Sequence, residues 1–167
     1  MHAECYKLFE GFATGNVSSG MRVLDVGSCD VNGTLRPVLK RAGALYAGCD
    51  MSPGPNVDIV QGGPYELPGI DGEYDVVVSA NCLEHCKRPW LLLLEMDRVL
   101  RAGGMLAISV PFHLGVHAFP IDCWRILPDA FADLLGDLMV ESGRRPYEII
   151  ENRVDVIDTW VVARKSL

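Results

Sequence analysis

The run Asp25-Val26-Gly27-Ser28-Cys29-Asp30 sets two carboxylates around a glycine, directly after the apolar stretch that begins at Met21. A glycine there permits a tight turn and lets the backbone approach a ligand closely. Positions 27, 29 and 32 read Gly, Cys and Asn, not the three glycines that make room for a pyrophosphate. Asp25 and Asp30 repel a phosphate and attract a cationic group. A third acid, Asp50, lies 25 residues after Asp25, at the end of the next apolar run. That is near the spacing at which a strand-end carboxylate takes both hydroxyls of a ribose. Taken alone, Asp50 equally suits the turn Ser52-Pro53-Gly54.

The second group is built on histidine. His2 is terminal and is given no role. His85 follows Leu83-Glu84, where it either hydrogen-bonds its own loop or acts as a base. His113 and His117 fall with Asp122, Trp124 and Arg125 in a segment, 111–128, that has neither helical nor strand period. Long irregular segments inside a compact domain are usually functional. Imidazole titrates near neutrality and suits general-base work on a hydroxyl acceptor. His117, His85 and Asp122 are therefore the candidate catalytic residues. The stretch 112–125, stiffened by Pro111, Pro120 and Pro128, is the candidate lid over the site. Trp124 is either a plug beneath that lid or a wall for the acceptor. Glu84 reads as a structural carboxylate near free N–H groups at a helix start. Cys82, His85 and Cys86 cluster, but a fourth ligand at an obvious spacing is missing, and no metal is expected.

Placing these residues requires alternating strands and helices. Met21–Val26, Leu45–Asp50, Val57–Val60, Tyr74–Ser79 and Met105–Val110 read as strands, the fourth with the unbroken valine run of a strand covered on both faces. Leu35, Val38, Leu39 and Ala42 mark one helix face, with Thr34 as its cap and Gly43 as its stop. Pro89 opens an apolar helix running through Leu100 and closed by Gly103-Gly104. Asp129 is expected to cap a helix carrying Phe131, Leu134, Leu135 and Leu138. Tyr147–Val154 and Thr159–Ala163 pair as a closing hairpin. The pattern predicts an α/β, Rossmann-like, seven-stranded and mostly parallel sheet with helices on both faces and a C-terminal antiparallel hairpin. It forms one domain over residues 1–167, with 1–20 as a helical lead-in. Ligands of open α/β sheets bind beyond the carboxyl ends of the strands, so 111–128, which follows the fifth strand, overhangs the site.

The net charge is −7 and the pI about 5.0, which disfavours a nucleic-acid substrate. No apolar run reaches membrane-spanning length, and the first ten residues lack the apolar core of a signal peptide. Six cysteines without a CxxC pair read as reduced thiols of a cytoplasmic protein. Oligomeric state stays open, a homo-oligomer included.

With these motifs in order, roughly residues 20 to 165 resemble the class I S-adenosylmethionine-dependent methyltransferases, in particular small single-domain members of the type 11-like group. LDVGSCD is similar to their first motif, YAGCDMS to their ribose-binding strand end, YDVVVSANCLEHC to their fourth-strand motif and EMDRVLRAGGMLAISVP to their fifth. The stretch from His117 to Arg125 resembles small methyltransferases of glycan and natural-product pathways. The resemblance implies S-adenosylmethionine as cofactor and a small-molecule methyl acceptor on oxygen or nitrogen. It implies Gly27 and Ser28 at the amino-acid end, Asp25 and Asp30 near the ammonium, Asp50 at the ribose and Met51 on the adenine. Asn81, Cys82 and Leu83 would line the fourth strand's exit. Where the family commonly carries an adenine-binding Asp, this chain has Gln61-Gly62-Gly63-Pro64, so adenine would rest against Gly63 and backbone groups. Two other classes compete. One is a non-catalytic S-adenosylmethionine-binding protein of the same fold, favoured by the thinned glycine turn. The other is a nicotinamide-dependent oxidoreductase, disfavoured by the missing glycines.

Overall fold

The computed structural model describes residues 2–167. Helix α1 (Ala3–Asn16) is capped by His2, whose Nδ1 accepts the Cys5 N–H at 3.2 Å. There follow β1 (Arg22–Val26), α2 (Arg36–Arg41), β2 (Leu45–Asp50), β3 (Ile59–Val60) and β4 (Tyr74–Ala80). A 3-10 turn (Leu83–His85) then leads to α3 (Pro89–Val99), β5 (Leu100–Pro111), α4 (Pro128–Leu135), α5 (Asp137–Glu141), β6 (Tyr147–Asp155) and β7 (Asp158–Lys165). The strands form one sheet in the order β3-β2-β1-β4-β5-β7-β6. The first five are parallel, and β7 runs antiparallel to both β5 and β6. The order reverses between β1 and β4, which opens a crevice at their carboxyl ends.

Strand alternation splits the core into two layers. Leu24, Val26, Val77, Leu106 and Ile108 face α3, α4 and α5, with Phe131 and Met96 fully buried among them. Val23, Val76, Val78 and Ala107 face α1 and α2. There Phe9 meets Trp160 edge-on, with ring centroids 4.9 Å apart. Both faces are thus covered, which is why β4 is a near-continuous valine run.

Several boundaries differ from the sequence reading, each for a local reason. β3 is two residues long, not four, and pairs only with Cys49 and Asp50. Thr34 does not occupy the cap position of α2, which is Leu35; its hydroxyl accepts the Arg36 N–H at 3.2 Å. Gly103-Gly104 lie inside β5: Tyr74 pairs with Leu100 and Val76 with Met105, so residues 101–104 loop out as a wide irregularity. Asp129 sits in the first turn of α4, with Leu127 at the cap position. The helix then breaks at Gly136, where a Cβ would lie 2.8 Å from the Ala132 carbonyl oxygen. Residues 112–127 carry neither helix nor strand. They are tethered at their start by the N–H groups of Phe112 and His113, both donating to the Ile157 carbonyl.

Candidate active site

The carboxyl ends of β1, β2 and β4 meet at the crevice. Gly27 adopts φ +78°, and a Cβ on it would lie 2.5 Å from Cys82 Sγ. Only glycine lets the β1 exit come this close to the β4 exit. The N–H groups of Gly27 and Ser28 both donate to the Cys49 carbonyl at 3.0 Å. Asp50 accepts from the Cys29 N–H at 3.0 Å and the Met51 N–H at 2.7 Å. Its carboxylate is thereby fixed across the turn, with further lone pairs to offer. Met51 stands exposed beside it. Asp30 turns back to accept the Gly33 N–H at 2.8 Å, and the Ser28 hydroxyl donates to the Asn56 carbonyl. Gly63 pairs with Glu66 in an isolated bridge, and the Glu66 carboxylate lies against Gly62 and Gly63. Leu83 is fully buried at the start of the 3-10 turn. Asn81, at φ +50°, holds both side-chain amide atoms buried and without a partner among the described residues. Such a group costs free energy unless something polar meets it.

Asp25 lies one layer below, on the α1/α2 side of the sheet with Val23. It accepts the Tyr46 hydroxyl at 2.6 Å, and the Asn56 amide donates to the same hydroxyl oxygen at 2.9 Å. Arg36 stacks over the Tyr46 ring at 4.5 Å. Burial pushes the Asp25 carboxyl up to about 7 against the Tyr46 hydrogen bond and the Arg36 charge, with Asp50 adding to the rise. The folded protein therefore keeps a proton that the unfolded chain releases near 3.8. By linkage, stability falls as pH rises through the window between those two values. Asp25→Asn should remove this part of the slope and raise the melting temperature at pH 8 relative to wild type. Thermal melts of both proteins from pH 4 to 8 check this; parallel curves would contradict it.

The irregular segment folds back over the 3-10 turn. The N–H groups of Cys123 and Trp124 both donate to the Glu84 carbonyl, at 2.7 and 3.3 Å, and the Trp124 indole N–H donates to the Cys86 carbonyl at 2.9 Å. Asp122 accepts the His117 N–H at 2.8 Å and pairs with both terminal nitrogens of Arg125, at 2.6 and 2.8 Å. That pairing holds the Asp122 carboxyl well below the usual carboxylate range. Arg125 also donates to the carbonyls of Leu114, Gly115 and Trp124. It is the tie of the loop. Arg125→Ala should cost about 1.5–3 kcal/mol, the range for charge-assisted hydrogen bonds, and expose the loop to protease. Calorimetric melting with limited proteolysis tests this, an unchanged Tm and digest being the contrary result.

Beneath that loop three groups converge. Glu84 is fully buried, and neither carboxylate oxygen has a hydrogen-bond partner among the described residues. Burial, with the Asp158 charge adding, raises its carboxyl to about 8. His85 Nε2 lies 3.5 Å and His117 Nε2 3.8 Å from Glu84 Oε1. The two imidazoles meet edge-on with centroids 5.2 Å apart. His85 and His117, far apart in sequence, are thus neighbours, with Asp122 behind His117. His113 is not among them; its ring lies tilted against Phe112. The sequence reading missed Glu84 as a member, because its environment comes from residues 117–125 and from β7. It also passed over His2, whose Nε2 is 3.0 Å from the buried Asp158, itself hydrogen-bonded by the Ser109 hydroxyl. Glu66, beside Gly63, was likewise unread. His85 turns toward Ile121 and Glu84, not toward a cysteine cluster.

The family model described as a methyltransferase domain matches residues 24–108, just over half of the chain. A relative from Mycobacterium sp. (strain KMS), described as an uncharacterized methyltransferase, is 37% identical over 114 residues, covering 62% of this chain and 44% of the relative. The chain thus spans under half the length of the curated relatives it matches. Among solved structures, the Burkholderia thailandensis 1,6-didemethyltoxoflavin-N1-methyltransferase, with bound 1,6-didemethyltoxoflavin and S-adenosylhomocysteine, superposes with a TM-score of 0.74 at 17% identity, covering 99% of this chain and 80% of that one. A SAM-dependent methyltransferase from Aquifex aeolicus gives 0.71 at 18% identity, covering 96% and 90%. These two likenesses establish the seven-stranded Rossmann-like fold. With the motifs from Leu24 to Ile108 matched in order on that fold, the chain belongs to the methyltransferase domain family.

Proposed function

We propose that this chain binds S-adenosylmethionine at the carboxyl ends of β1, β2 and β4 and transfers its methyl group to an oxygen or nitrogen of a small molecule held under residues 112–125. The observation that carries the reading is Asn81: a buried amide with both polar atoms unpartnered, beside the Gly27–Cys82 contact, where the amino-acid end of the cofactor would lie. The residues present fit the group. Asp50 is immobilised with lone pairs to spare for ribose hydroxyls, Met51 offers an apolar face to adenine, and Gly63 with Glu66 forms the far rim. Gly27, Ser28, Cys82 and Leu83 shape the amino-acid end and Asp30 supplies negative charge near its ammonium, while the Asp25 carboxyl is taken up by Tyr46 beneath the turn. When bound, the cofactor supplies a methyl group on a positively charged sulfur, a good leaving group.

The chain's own work is alignment, water exclusion and handling of the acceptor's proton. Arg125 and Asp122 hold the loop closed over the 3-10 turn. The Glu84–His85–His117 centre, with Asp122 fixing the His117 backbone, is where a hydroxyl or amine acceptor would lose its proton. An acidic chain suits a small acceptor better than a phosphate polymer. The Burkholderia thailandensis enzyme of the same fold holds 1,6-didemethyltoxoflavin, which supports a small-molecule acceptor here. The test is transfer of labelled methyl from S-adenosylmethionine to a panel of sugars, phenols and amines. Label in an oxygen or nitrogen acceptor is expected. Cofactor binding with no transfer to any acceptor would favour the non-catalytic reading instead.

A further inference from the structure

We propose that Glu84, His85 and His117 bind one divalent transition-metal ion through Oε1 of the carboxylate and Nε2 of both imidazoles. The three ligand atoms lie within 4.8 Å of one another, with Glu84 Oε1 at 3.5 and 3.8 Å from the two nitrogens. Ligands of a tetrahedral ion with bonds of about 2.0–2.1 Å stand roughly 3.4 Å apart. The Glu84–His85 pair already has that separation. His117, carried by a loop and 40% exposed, needs only a small approach.

The hydrogen-bond pattern orients the donors inward. His85 Nδ1 is 2.5 Å from the Ile121 carbonyl oxygen, and His117 Nδ1 is 3.1 Å from that of Gly115. A carbonyl oxygen only accepts, so each Nδ1 carries a hydrogen, which leaves each Nε2, on the Glu84 side of its ring, as the nitrogen that can ligate an ion. Asp122 Oδ2, 3.4 Å from His117 Nδ1, adds the carboxylate that commonly backs a metal-bound imidazole. Three ligand atoms thus converge beside the buried Glu84 carboxyl. Among the described residues no side chain donates to the Glu84 oxygens, and Arg125 is committed to Asp122 and to loop carbonyls. A cation relieves that arrangement. Two imidazoles and one carboxylate suit zinc, iron, cobalt or manganese, whereas magnesium and calcium prefer oxygen ligands throughout. Three protein ligands leave an open position for water or for an acceptor oxygen. A part for the ion in methyl transfer rests on the reading above; the ion site itself does not.

The test needs no methyl donor. Chelator-treated protein is titrated with Zn2+ by calorimetry and with Co2+ by visible absorption. One saturable ion per chain is expected, with the d–d bands of cobalt bound by nitrogen and oxygen. Glu84→Gln and His117→Ala should each weaken binding at least about tenfold, and Asp122→Asn by about 10- to 100-fold. His113→Ala, in the same loop but outside the centre, should bind as wild type. Melting curves confirm that each variant is folded, and the cobalt spectrum of the wild type stands whether or not they are. Absence of saturable binding, or binding that survives both Glu84→Gln and His117→Ala, overturns the proposal. Because cofactor binding is measured separately, neither result can be mistaken for failure of the methyl-transfer reading.

Discussion

His117→Ala should lower methyl-transfer turnover by about 10²–10⁴, the range for loss of a group that handles a proton in the transition state. Affinity for S-adenosylhomocysteine should stay nearly unchanged. The expectation follows from where the structure puts the ring. Its Nε2 faces Glu84 beneath the loop, and its backbone is anchored by Asp122. The cofactor-end residues Asp50, Gly27 and Asn81 belong to other segments of the chain. The side chain is partly exposed, so its removal should cost little stability and the protein should remain assayable. Initial rates, cofactor titration and melting of the same preparation separate the effects. Full activity would remove His117 from the mechanism and leave His85 as the histidine candidate of the centre.

Asp50→Ala should weaken S-adenosylhomocysteine binding by about 1.5–3 kcal/mol, or roughly 10- to 150-fold, as expected for loss of charge-assisted hydrogen bonds to the ribose. The carboxylate also accepts the N–H groups of Cys29 and Met51, so part of the loss will come from a slackened turn. Asp50→Asn separates the two contributions: its amide oxygen can keep one backbone bond while the charge is gone. Unchanged affinity in Asp50→Ala, measured by calorimetry on folded protein, would sink the ribose assignment.

The centre of the sheet was legible in the sequence because its strands are buried on both faces and read as apolar runs. Val76–Val78 of β4 and Met105–Val110 of β5 are the clearest cases. The closing hairpin was legible mainly from the apolar run of β7, its partner β6 being a mostly exposed edge strand, and both strands run longer than the sequence bounds. Helix ends were less so. Gly136, with a non-helical backbone that leaves no room for a Cβ beside the Ala132 carbonyl, divides one apolar pattern into two helices. Gly103-Gly104, which look like a helix stop, ride in an excursion of β5. At the crevice, Gly27 and Asp50 were legible because their setting is local: one turn and the backbone beside it. Asp25 was legible as an acid, but its Tyr46–Asn56–Arg36 surroundings come from β2, the loop after it and α2. The Glu84 centre was the least legible part. A carboxylate after a leucine resembles any helix-start acid, and only the return of residues 117–125 across the 3-10 turn buries it against two imidazoles. The cluster is thus a product of tertiary structure, and its nearest signal in sequence is the presence of histidine, aspartate and arginine together in one aperiodic segment.

The most direct test of the account is a calorimetric titration of the wild-type chain with S-adenosylhomocysteine and, in parallel, with NAD. Asp25 and Asp30 beside a single-glycine turn disfavour a pyrophosphate, while Asp50 and the unpartnered Asn81 offer partners for a ribose and an amino-acid group. The account predicts saturable binding of one S-adenosylhomocysteine per chain and none of NAD. Binding of NAD with no heat from S-adenosylhomocysteine would contradict it.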